Sequence, residues 1–314
     1  MIFKKRYLLF VISIALITAI IWYANPILLV NVLSKANISF VFLALGITLI
    51  SLSLRVLKWK VLLNGVGFME LYPIQVLGMT ISNFTPGKVA EPVKAIILKM
   101  RKNIDVSASM PSIIWERIMD IIVIVILSII AINLLSVNSK FFIAGFAGIA
   151  IFSAIIIISL VVLYSRKFGM KIFGLTRRLP ILKKLPENFM ELFYKVQIKK
   201  TSLLKCFVLT IIPWSIEGLT FYFVFLSLGV SLNPIILAGI VALSVMIGVV
   251  SSLPGGLGTT EVVMILLLGV SGVESTTAIA GVMLFRFVSF WFGAFLGGLS
   301  FVYLSKKIDL KNII

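Results

Sequence analysis

The feature that most constrains this chain is a series of continuous apolar stretches, each about 20 residues long, the length an α-helix needs to cross a bilayer. Of the 314 residues, 61% are hydrophobic and 13% are charged, whereas a soluble domain is about half apolar and a quarter charged. Transmembrane strands are disfavoured because the stretches are continuous and do not alternate over about ten residues. The sequence therefore predicts an all-α, polytopic helical membrane protein.

The net charge of +18 is concentrated between the apolar stretches, as the positive-inside rule expects of a membrane protein. We therefore expect no nucleic-acid partner. One cysteine and no histidine are present, which excludes a disulfide framework, a zinc site and histidine-based acid–base catalysis. We expect no cofactor, no metal site and no enzymatic activity.

Six apolar stretches are predicted to be spanning helices of a single transmembrane domain, residues 1–314. They cover residues 7–30, 39–57, 109–133, 141–164, 206–228 and 276–304. The basic residues between them place both termini in the cytoplasm of a multi-pass cell-membrane protein. Residues 165–205, with eleven basic and two acidic residues, are the predicted cytoplasmic loop, and PENFMELFYKVQIKK within it predicts a helix on the lipid headgroups.

Two further apolar segments are broken near their middle by proline and glycine. Residues 73–98 contain TPGKVAE, and residues 234–270 contain LPGGLGTTE. Proline ends a helix and glycine permits a turn, while unpaired backbone groups at membrane depth require protein or a water-filled cavity beside them. The segments therefore predict two re-entrant hairpins that enter from opposite faces and adjoin a cavity. The longer first arm of the second segment also permits a full crossing.

The two halves of the chain share a spacing of polar residues. In each half a Pro-Gly pair is followed by a glutamate and then by an arginine in the next helix. The distance is 31 residues from Pro86 to Arg117 and 32 residues from Pro254 to Arg286. With hairpins opening from opposite faces, this spacing predicts an inverted repeat, the plan by which secondary transporters bring broken helices to the midplane.

Ionisable side chains at membrane depth are costly and are usually paired or functional. Seven are candidate substrate-binding residues: Lys88, Glu91, Glu116, Arg117, Asp120, Glu261 and Arg286. The backbone of the second break completes the set, because the following helix would direct free N–H groups into the cavity, at Gly255, Gly256 and Gly258. Such a site suits a phosphate or another anion. The alternatives are structural ion pairs and, for Glu116 and Asp120, a place at the membrane interface.

Local spacing also predicts partners. Three pairs lie three residues apart and would share a helix face: Lys88–Glu91, Glu91–Lys94 and Arg117–Asp120. The stretch LRVLKWK, residues 54–60, is predicted to anchor its helix at the cytoplasmic interface, with the tryptophan among the headgroups. Attraction of a phosphate is the alternative for this stretch. Glu217 is a further acid within an apolar run.

Taken together, the motifs LRVLKWKVLL, PGKVAEPVK, WERIMD and LPGGLGTTE resemble the lysylphosphatidylglycerol synthase transmembrane, or flippase-like, family. The resemblance covers residues 35–304. In that family such domains are fused to aminoacyl-lipid synthases, where they are considered to move the lipid across the bilayer, and archaeal relatives are linked to polyprenyl-sugar pathways. The resemblance therefore implies a lipid-handling role for this chain.

The positions that match the family motifs are Pro86, Gly87, Glu91, Glu116, Arg117, Asp120, Pro254, Gly255, Gly256, Gly258 and Glu261. The chain differs at Lys88, Ala90 and Lys94, where the family more usually has arginine, glycine and arginine. Positive charge is kept, but the planar fork that binds phosphate through two hydrogen bonds is lost. The 41-residue loop 165–205 is too small to be a synthase domain.

These features predict a flippase-like protein that translocates an anionic phospholipid or a polyprenyl-linked saccharide between leaflets, so a membrane lipid is the expected partner. The alternatives are a secondary transporter of a small anionic solute and a membrane partner of a separate lipid-modifying synthase. A membrane-embedded enzyme acting on a lipid phosphate is disfavoured, because histidine is absent. The sequence contains no GxxxxGK[ST] loop, so transport is predicted to be downhill or ion-coupled.

Overall fold

The computed structural model describes residues 2–63, 65–135, 139–176 and 188–306, and every regular element in these ranges is a helix. The helices up to the middle of the chain are α1 (Ile2–Tyr23), α2 (Pro26–Ser34), α3 (Ile38–Leu62), α4 (Phe68–Asn83), α5 (Val93–Lys102), α6 (Val106–Leu134) and α7 (Ser139–Tyr164). Those that follow are α8 (Arg166–Thr176), α9 (Phe189–Lys195), α10 (Lys200–Ser227), α11 (Pro234–Val250), α12 (Thr259–Val270), α13 (Ser275–Arg286) and α14 (Phe292–Ser305). The predicted all-α fold is confirmed.

Five stretches of the described residues are long and apolar enough to cross a membrane: Ile38–Leu62, Val106–Leu134, Gly145–Tyr164, Lys200–Ser227 and Ser275–Ser305. The last contains α13, a π-helical segment at Phe287–Trp291, and α14. A sixth candidate is the pair α1 and α2, which is bent by 78°. The prediction of one uninterrupted helix over residues 7–30 is therefore wrong.

The bend between α1 and α2 has a local cause. Asn25 has a left-handed φ of 59°, and its side chain caps α2 by accepting a hydrogen bond from the N–H of Ile27. Pro26 follows at the first helical position, where its missing N–H costs nothing and its fixed φ suits the start of a new helix.

The two predicted broken segments are pairs of short helices. In the first hairpin, α4 (16 residues) and α5 (10 residues) pack together on either side of a 3-10 turn at Pro86–Lys88. In the second hairpin, α11 (17 residues) and α12 (12 residues) flank a 3-10 turn at Pro254–Gly256. The two turns pack against each other inside the bundle. The helix pairs and the meeting of their turns agree with the predicted hairpins.

The bundle is held by close approach of α11 to two neighbouring helices. A Cβ atom added to Gly218 of α10 would lie 2.5 Å from Ala238, and one added to Gly239 would lie 2.6 Å from Ala131 of α6. Small residues at such crossings let helix backbones pack directly against each other, which is a main source of helix association in membranes.

The outer surface of α7 is strongly apolar. Its exposed side chains include Ile143, Phe146, Ile151, Ile157 and Ile158. A continuous apolar face of this kind is stable in lipid and prone to aggregation in water. Together with the spanning helices, it makes this chain an integral membrane protein.

Part of the predicted loop 165–205 is described, as α8 and α9, while residues 177–187 lie outside the described residues. The structure differs from the predicted headgroup helix, because α9 has only seven residues. Its side chains Phe189, Met190 and Phe193 are buried against the protein, next to Met110 of α6 and Phe173 of α8.

Candidate functional site

A cavity of about 520 Å³ lies between α3, α4, α6, α10, α11 and the junction of α13 with α14, beside the turn of the first hairpin. Nine ionisable side chains line it: Arg55, Lys58, Lys88, Glu91, Glu116, Arg117, Asp120, Glu217 and Arg286. Nine such groups in one cavity at membrane depth are expensive unless they are paired or serve a function.

The lining contributed by α7, α11 and α12 has a different character. Its residues are aliphatic or aromatic apart from one serine: Phe152, Ile155, Ser159, Val241, Val245, Val249 and Met264. The change of character is also visible along α6, where the charged residues at 116–120 are followed by Ile121 and Ile124. The cavity is therefore amphipathic, with an ionic lining on some helices and an apolar lining on others.

Helix α3 presents one polar face to the cavity. Thr48, Ser51, Arg55 and Lys58 line it at spacings of three or four residues, which places them on one side of a helix. The predicted interfacial anchor at residues 54–60 is wrong for Lys58 and Trp59, which are 1% and 0% exposed. The reason is that α3 continues to Leu62, so these residues lie inside the bundle.

Lys58 forms the closest ionic contacts of α3. Its Nζ lies 2.8 Å from both carboxylate oxygens of Asp120 and 3.6 Å from Glu116. The indole N–H of Trp214 donates to the same Asp120 carboxylate at 3.0 Å. Arg55, one turn earlier, pairs with Glu217 of α10 at 3.2 Å. Neighbouring helices therefore supply the counter-charges of the α3 cations.

A second buried network surrounds Glu116. Lys94 of the first hairpin lies 2.7 Å from one of its oxygens, and the side-chain amide of Gln75 donates to the other at 2.8 Å. Lys94 also donates to the Gln75 oxygen at 3.0 Å. Glu116 and Asp120 are 3% and 7% exposed, so both carboxylates are enclosed by the protein.

Of the three predicted shared helix faces, that of Arg117 and Asp120 on α6 is present and the two that involve Glu91 are wrong; the closest ion pairs of these residues lie elsewhere. Glu91 lies in the turn that precedes α5, so it does not share a helix face with Lys88 or Lys94, and it forms an ion pair with Arg117 of α6. Asp120 pairs with Lys58 and not with Arg117. The charges at membrane depth are therefore paired between elements, not along them.

The second hairpin is tied to the bundle in the same way as the first. Glu261 Oε1 lies 2.6 Å from Arg286 Nε, and its other oxygen accepts a hydrogen bond of 2.7 Å from the N–H of Gly258 at the start of α12. Arg286 also donates to the Gly255 carbonyl at 3.3 Å and stacks over the Phe290 ring at 4.3 Å. Arg286 lines the cavity and Glu261 lies behind it.

Both halves thus repeat one local arrangement. The turn glycines have nearly the same backbone angles, with φ 62° and ψ 12° at Gly87 and φ 65° and ψ 6° at Gly255. In each half the hairpin glutamate forms an ion pair with the arginine of the next helix. This correspondence supports the internal repeat that the spacing predicts.

Three glycines are predicted to direct their N–H groups into the cavity, and the structure places them outside its lining. Gly255, Gly256 and Gly258 do not line the cavity. A Cβ atom added to any of them would come within 2.8 Å of a neighbouring atom. The N–H of Gly258 is already bonded to Glu261. These glycines therefore let the second hairpin pack closely, and the ionic lining comes from side chains.

Lys88 differs from the other cations of the cavity. Among the described residues, no carboxylate oxygen lies within 4 Å of its Nζ, whereas Arg55, Lys58, Arg117 and Arg286 each have such a partner. The described residues also contain no group of three or more His, Cys, Asp or Glu side chains arranged to hold a metal ion.

Sequence reasoning missed several residues of the site. The sequence pattern places Arg55 and Lys58 at the interface and does not single out Ser51, Gln75 or Trp214. For α3 a signal existed, because polar residues recur every three or four positions from Thr48 to Lys58. For Gln75 and Trp214, which act as partners of distant carboxylates, the sequence contains no comparable signal.

Known proteins resemble this chain over its length. The family described as Lysylphosphatidylglycerol synthase TM region matches residues 10–297. A UPF0104 membrane protein of Pyrococcus horikoshii is 27% identical, over 94% of this chain and 96% of that protein. A UPF0104 membrane protein of Methanothermobacter thermautotrophicus is 26% identical over 98% of both chains, and one of Methanocaldococcus jannaschii is 23% identical over 98% of this chain and 97% of its own. Every ionisable residue of the cavity falls within the matched region.

Proposed function

This chain belongs to the lysylphosphatidylglycerol synthase transmembrane family, and we propose that it translocates an anionic phospholipid or a polyprenyl-linked saccharide between membrane leaflets. The observation that carries the proposal is the amphipathic cavity of about 520 Å³, with cations from α3, the first hairpin, α6 and α13 on one part of its wall. Such cations suit a phosphate group, because charge-assisted hydrogen bonds to phosphate are among the strongest available to a protein.

The apolar lining favours a lipid over a small soluble anion. A soluble anion is solvated by water or by polar groups on all sides, and an aliphatic wall would only add a desolvation cost. A lipid headgroup is joined to apolar chains, so a wall with aliphatic residues such as Val241, Val245 and Val249 matches the part of the molecule next to the phosphate. The second candidate, a transporter of a small anionic solute, gains no such support.

The meeting of the two hairpin turns suggests how the cavity opens. Phe84, next to the first turn, packs edge to face against Phe290 of the π-helical segment, with ring centroids 5.5 Å apart, and Gly255 of the second turn lies against the same Phe290 ring. Each hairpin also holds, through its glutamate, one arginine that lines the cavity, Arg117 or Arg286. Movement of either hairpin would therefore change both access to the cavity and the position of an anion-binding arginine, as alternating access requires.

We propose further that the chain acts as a transporter and not as an enzyme, in the cell membrane with both termini in the cytoplasm. The matched family region is a transmembrane region, and the sequence contains no histidine and no nucleotide-binding loop. Movement of the lipid would be downhill or coupled to an ion. A separate lipid-modifying synthase, which would supply the lipid, is a candidate partner.

The test is reconstitution of the purified full-length protein into phosphatidylcholine vesicles with trace lipids that are fluorescently labelled on an acyl chain. A membrane-impermeant quencher reports the fraction of label that reaches the outer leaflet. We expect movement with the wild type and a loss of roughly tenfold or more with Arg286→Gln, because one charge-assisted contact is removed.

The matched control is Lys60→Gln, since Lys60 is exposed on α3 and does not line the cavity; it should behave like the wild type. A wild-type protein that binds a soluble anion and moves no labelled phospholipid or polyprenyl-phosphate sugar would overturn the proposal in favour of solute transport.

A further inference from the structure

We infer that the cavity selects a headgroup with a single negative charge, that is a phosphodiester, and that Lys88 is the residue that contacts it. The inference rests on the proposed function and names the substrate class of the same cavity. It follows from a balance of charges, from the backbone of Lys88 and from the groups around it.

The charges that line the cavity or pair directly with its lining are almost balanced. Five ion pairs use each member once: Arg55–Glu217, Lys58–Asp120, Lys94–Glu116, Arg117–Glu91 and Arg286–Glu261. Among the described residues of this site, Lys88 is the one ionisable group left over. The lining with its partners therefore carries one net positive charge. Because an unbalanced charge at membrane depth is costly, an anion with one charge restores neutrality, and an anion with two charges would leave an excess again.

The backbone of Lys88 is unusual for a side chain that only packs. Lys88 has a φ of 55°, directly after Gly87 with φ 62°. The equivalent turn of the second hairpin has φ values of 65° and 64° at Gly255 and Gly256. A lysine therefore occupies a left-handed position where the other repeat has glycine. Such a position costs a residue with a Cβ about 1–2 kcal/mol, and strain of this kind is concentrated at functional sites.

Two hydrogen bonds within the turn hold the backbone of Lys88 in place. The Ser82 hydroxyl donates to the Lys88 carbonyl at 2.8 Å, and the N–H of Lys88 donates to the Thr85 carbonyl at 3.1 Å. With its backbone held, the lysine side chain lines the cavity. The strained residue is therefore supported by the fold and presents a cation to the cavity.

The surroundings of Lys88 are those of an anion site. Arg117, Arg286 and Arg55 lie close enough to interact with it electrostatically, and Glu91 is the nearby acid. The Ser51 hydroxyl also lines the cavity, is 2% exposed, and has no hydrogen-bond partner in the described part of the chain. A buried hydroxyl without a partner is rare unless a ligand or water completes it. A phosphodiester offers oxygen acceptors to both Lys88 and Ser51.

The experiment compares three acyl-labelled lipids in vesicles that contain the full-length protein, at neutral pH. Phosphatidylglycerol is a phosphodiester with one net charge, phosphatidic acid is a monoester with more than one, and phosphatidylcholine has none. The wild type should move phosphatidylglycerol fastest. Lys88→Gln should slow that movement roughly tenfold or more, and Lys88→Arg should retain it.

A second variant moves the charge balance in the opposite direction. Glu217→Gln releases Arg55 from its ion pair, so the cavity gains a second net positive charge. The preference should then shift from phosphatidylglycerol toward phosphatidic acid. Thermal unfolding of each variant separates this effect from misfolding. Lys88→Gln should not lower the melting temperature, because within the described ranges no carboxylate forms an ion pair with Lys88.

Two results would separate the inference from the proposed function. If the wild type moves the lipids without regard to charge, or if Lys88→Gln moves phosphatidylglycerol as the wild type does, the single-charge site is wrong and lipid translocation stands. If the wild type moves none of these lipids and no polyprenyl-phosphate sugar, both are overturned.

Discussion

Lys58 Nζ lies 2.8 Å from both carboxylate oxygens of Asp120, which joins α3 to α6 inside the bundle. Trp214 of α10 donates to the same carboxylate at 3.0 Å. One buried aspartate therefore connects three helices, and its loss would leave both a charge and an indole N–H without a partner.

We predict that Asp120→Ala destabilises the protein strongly, by about 3–5 kcal/mol, because it leaves the buried Lys58 without its closest counter-charge. Thermal unfolding of the purified protein in detergent measures the effect. The double variant Lys58→Met/Asp120→Leu should recover much of the loss, since no unpaired charge then remains. Glu191→Ala is the control, because its pair with Lys195 is exposed and is worth less than about 1 kcal/mol. Equal stability of Asp120→Ala and Glu191→Ala would contradict the prediction.

A second prediction concerns Glu261, whose two oxygens serve different partners, Arg286 and the N–H of Gly258. Glu261→Gln removes the charge but keeps an oxygen that can cap α12, whereas Glu261→Ala removes both interactions. We expect Glu261→Ala to be the less stable variant by about 1 kcal/mol, the usual value of a helix cap. The difference in melting temperature between the two variants checks this, and a Gln variant as unstable as the Ala variant would mean that the cap contributes nothing.

A third prediction tests the close packing of the hairpin turns. Gly255 has a φ of 65°, and a Cβ atom there would lie 2.8 Å from the Phe290 ring. Gly255→Ala should therefore cost more than about 2 kcal/mol, from backbone strain together with overpacking. Gly269→Ala is the matched control on α12, where no atom of the described residues lies within 4 Å of an added Cβ; it should leave the stability unchanged or raise it slightly. Similar melting temperatures for the two variants would show that Gly255 of the second turn is not tightly packed.

A fourth prediction tests whether the hairpins enter from opposite faces. In a Cys206→Ala background, Met69→Cys at the open end of the first hairpin and Ser231→Cys just before the second supply exposed thiols. In sealed cells, a membrane-impermeant maleimide should label Ser231→Cys, and Met69→Cys should react after the membrane is permeabilised. Labelling of both positions from the same side would rule out opposed hairpins and, with them, the inverted repeat.

The apolar stretches and the proline–glycine breaks between helices predict much of this fold. The spanning helices α3, α6, α7 and α10 and the continuous stretch from α13 to α14 lie where apolar runs place them. The two Pro-Gly breaks predict both hairpins, because proline and glycine act on the backbone at their own position. The same local chemistry acts at Asn25 and Pro26, where a capping residue followed by proline starts a new helix.

The ion pairs were less predictable than the helices. The spacing of Glu91 and Lys94 indicated a local pair, yet Glu91 binds Arg117 and Lys94 binds Glu116. A side chain in a turn faces whichever element packs against that turn, and spacing along the chain does not report which element it is.

From its sequence alone, the chain is an all-α membrane protein with two broken hairpins and charges at membrane depth, because helix length, chain breaks and the cost of buried charge act over a few residues at a time. The packing of distant helices determines that Lys58 and Trp59 are buried and that five carboxylates each pair with a cation. It also leaves Lys88 without a carboxylate partner among the residues that the structure describes. Those pairings join residues up to 162 positions apart, so they exist only once the helices have come together.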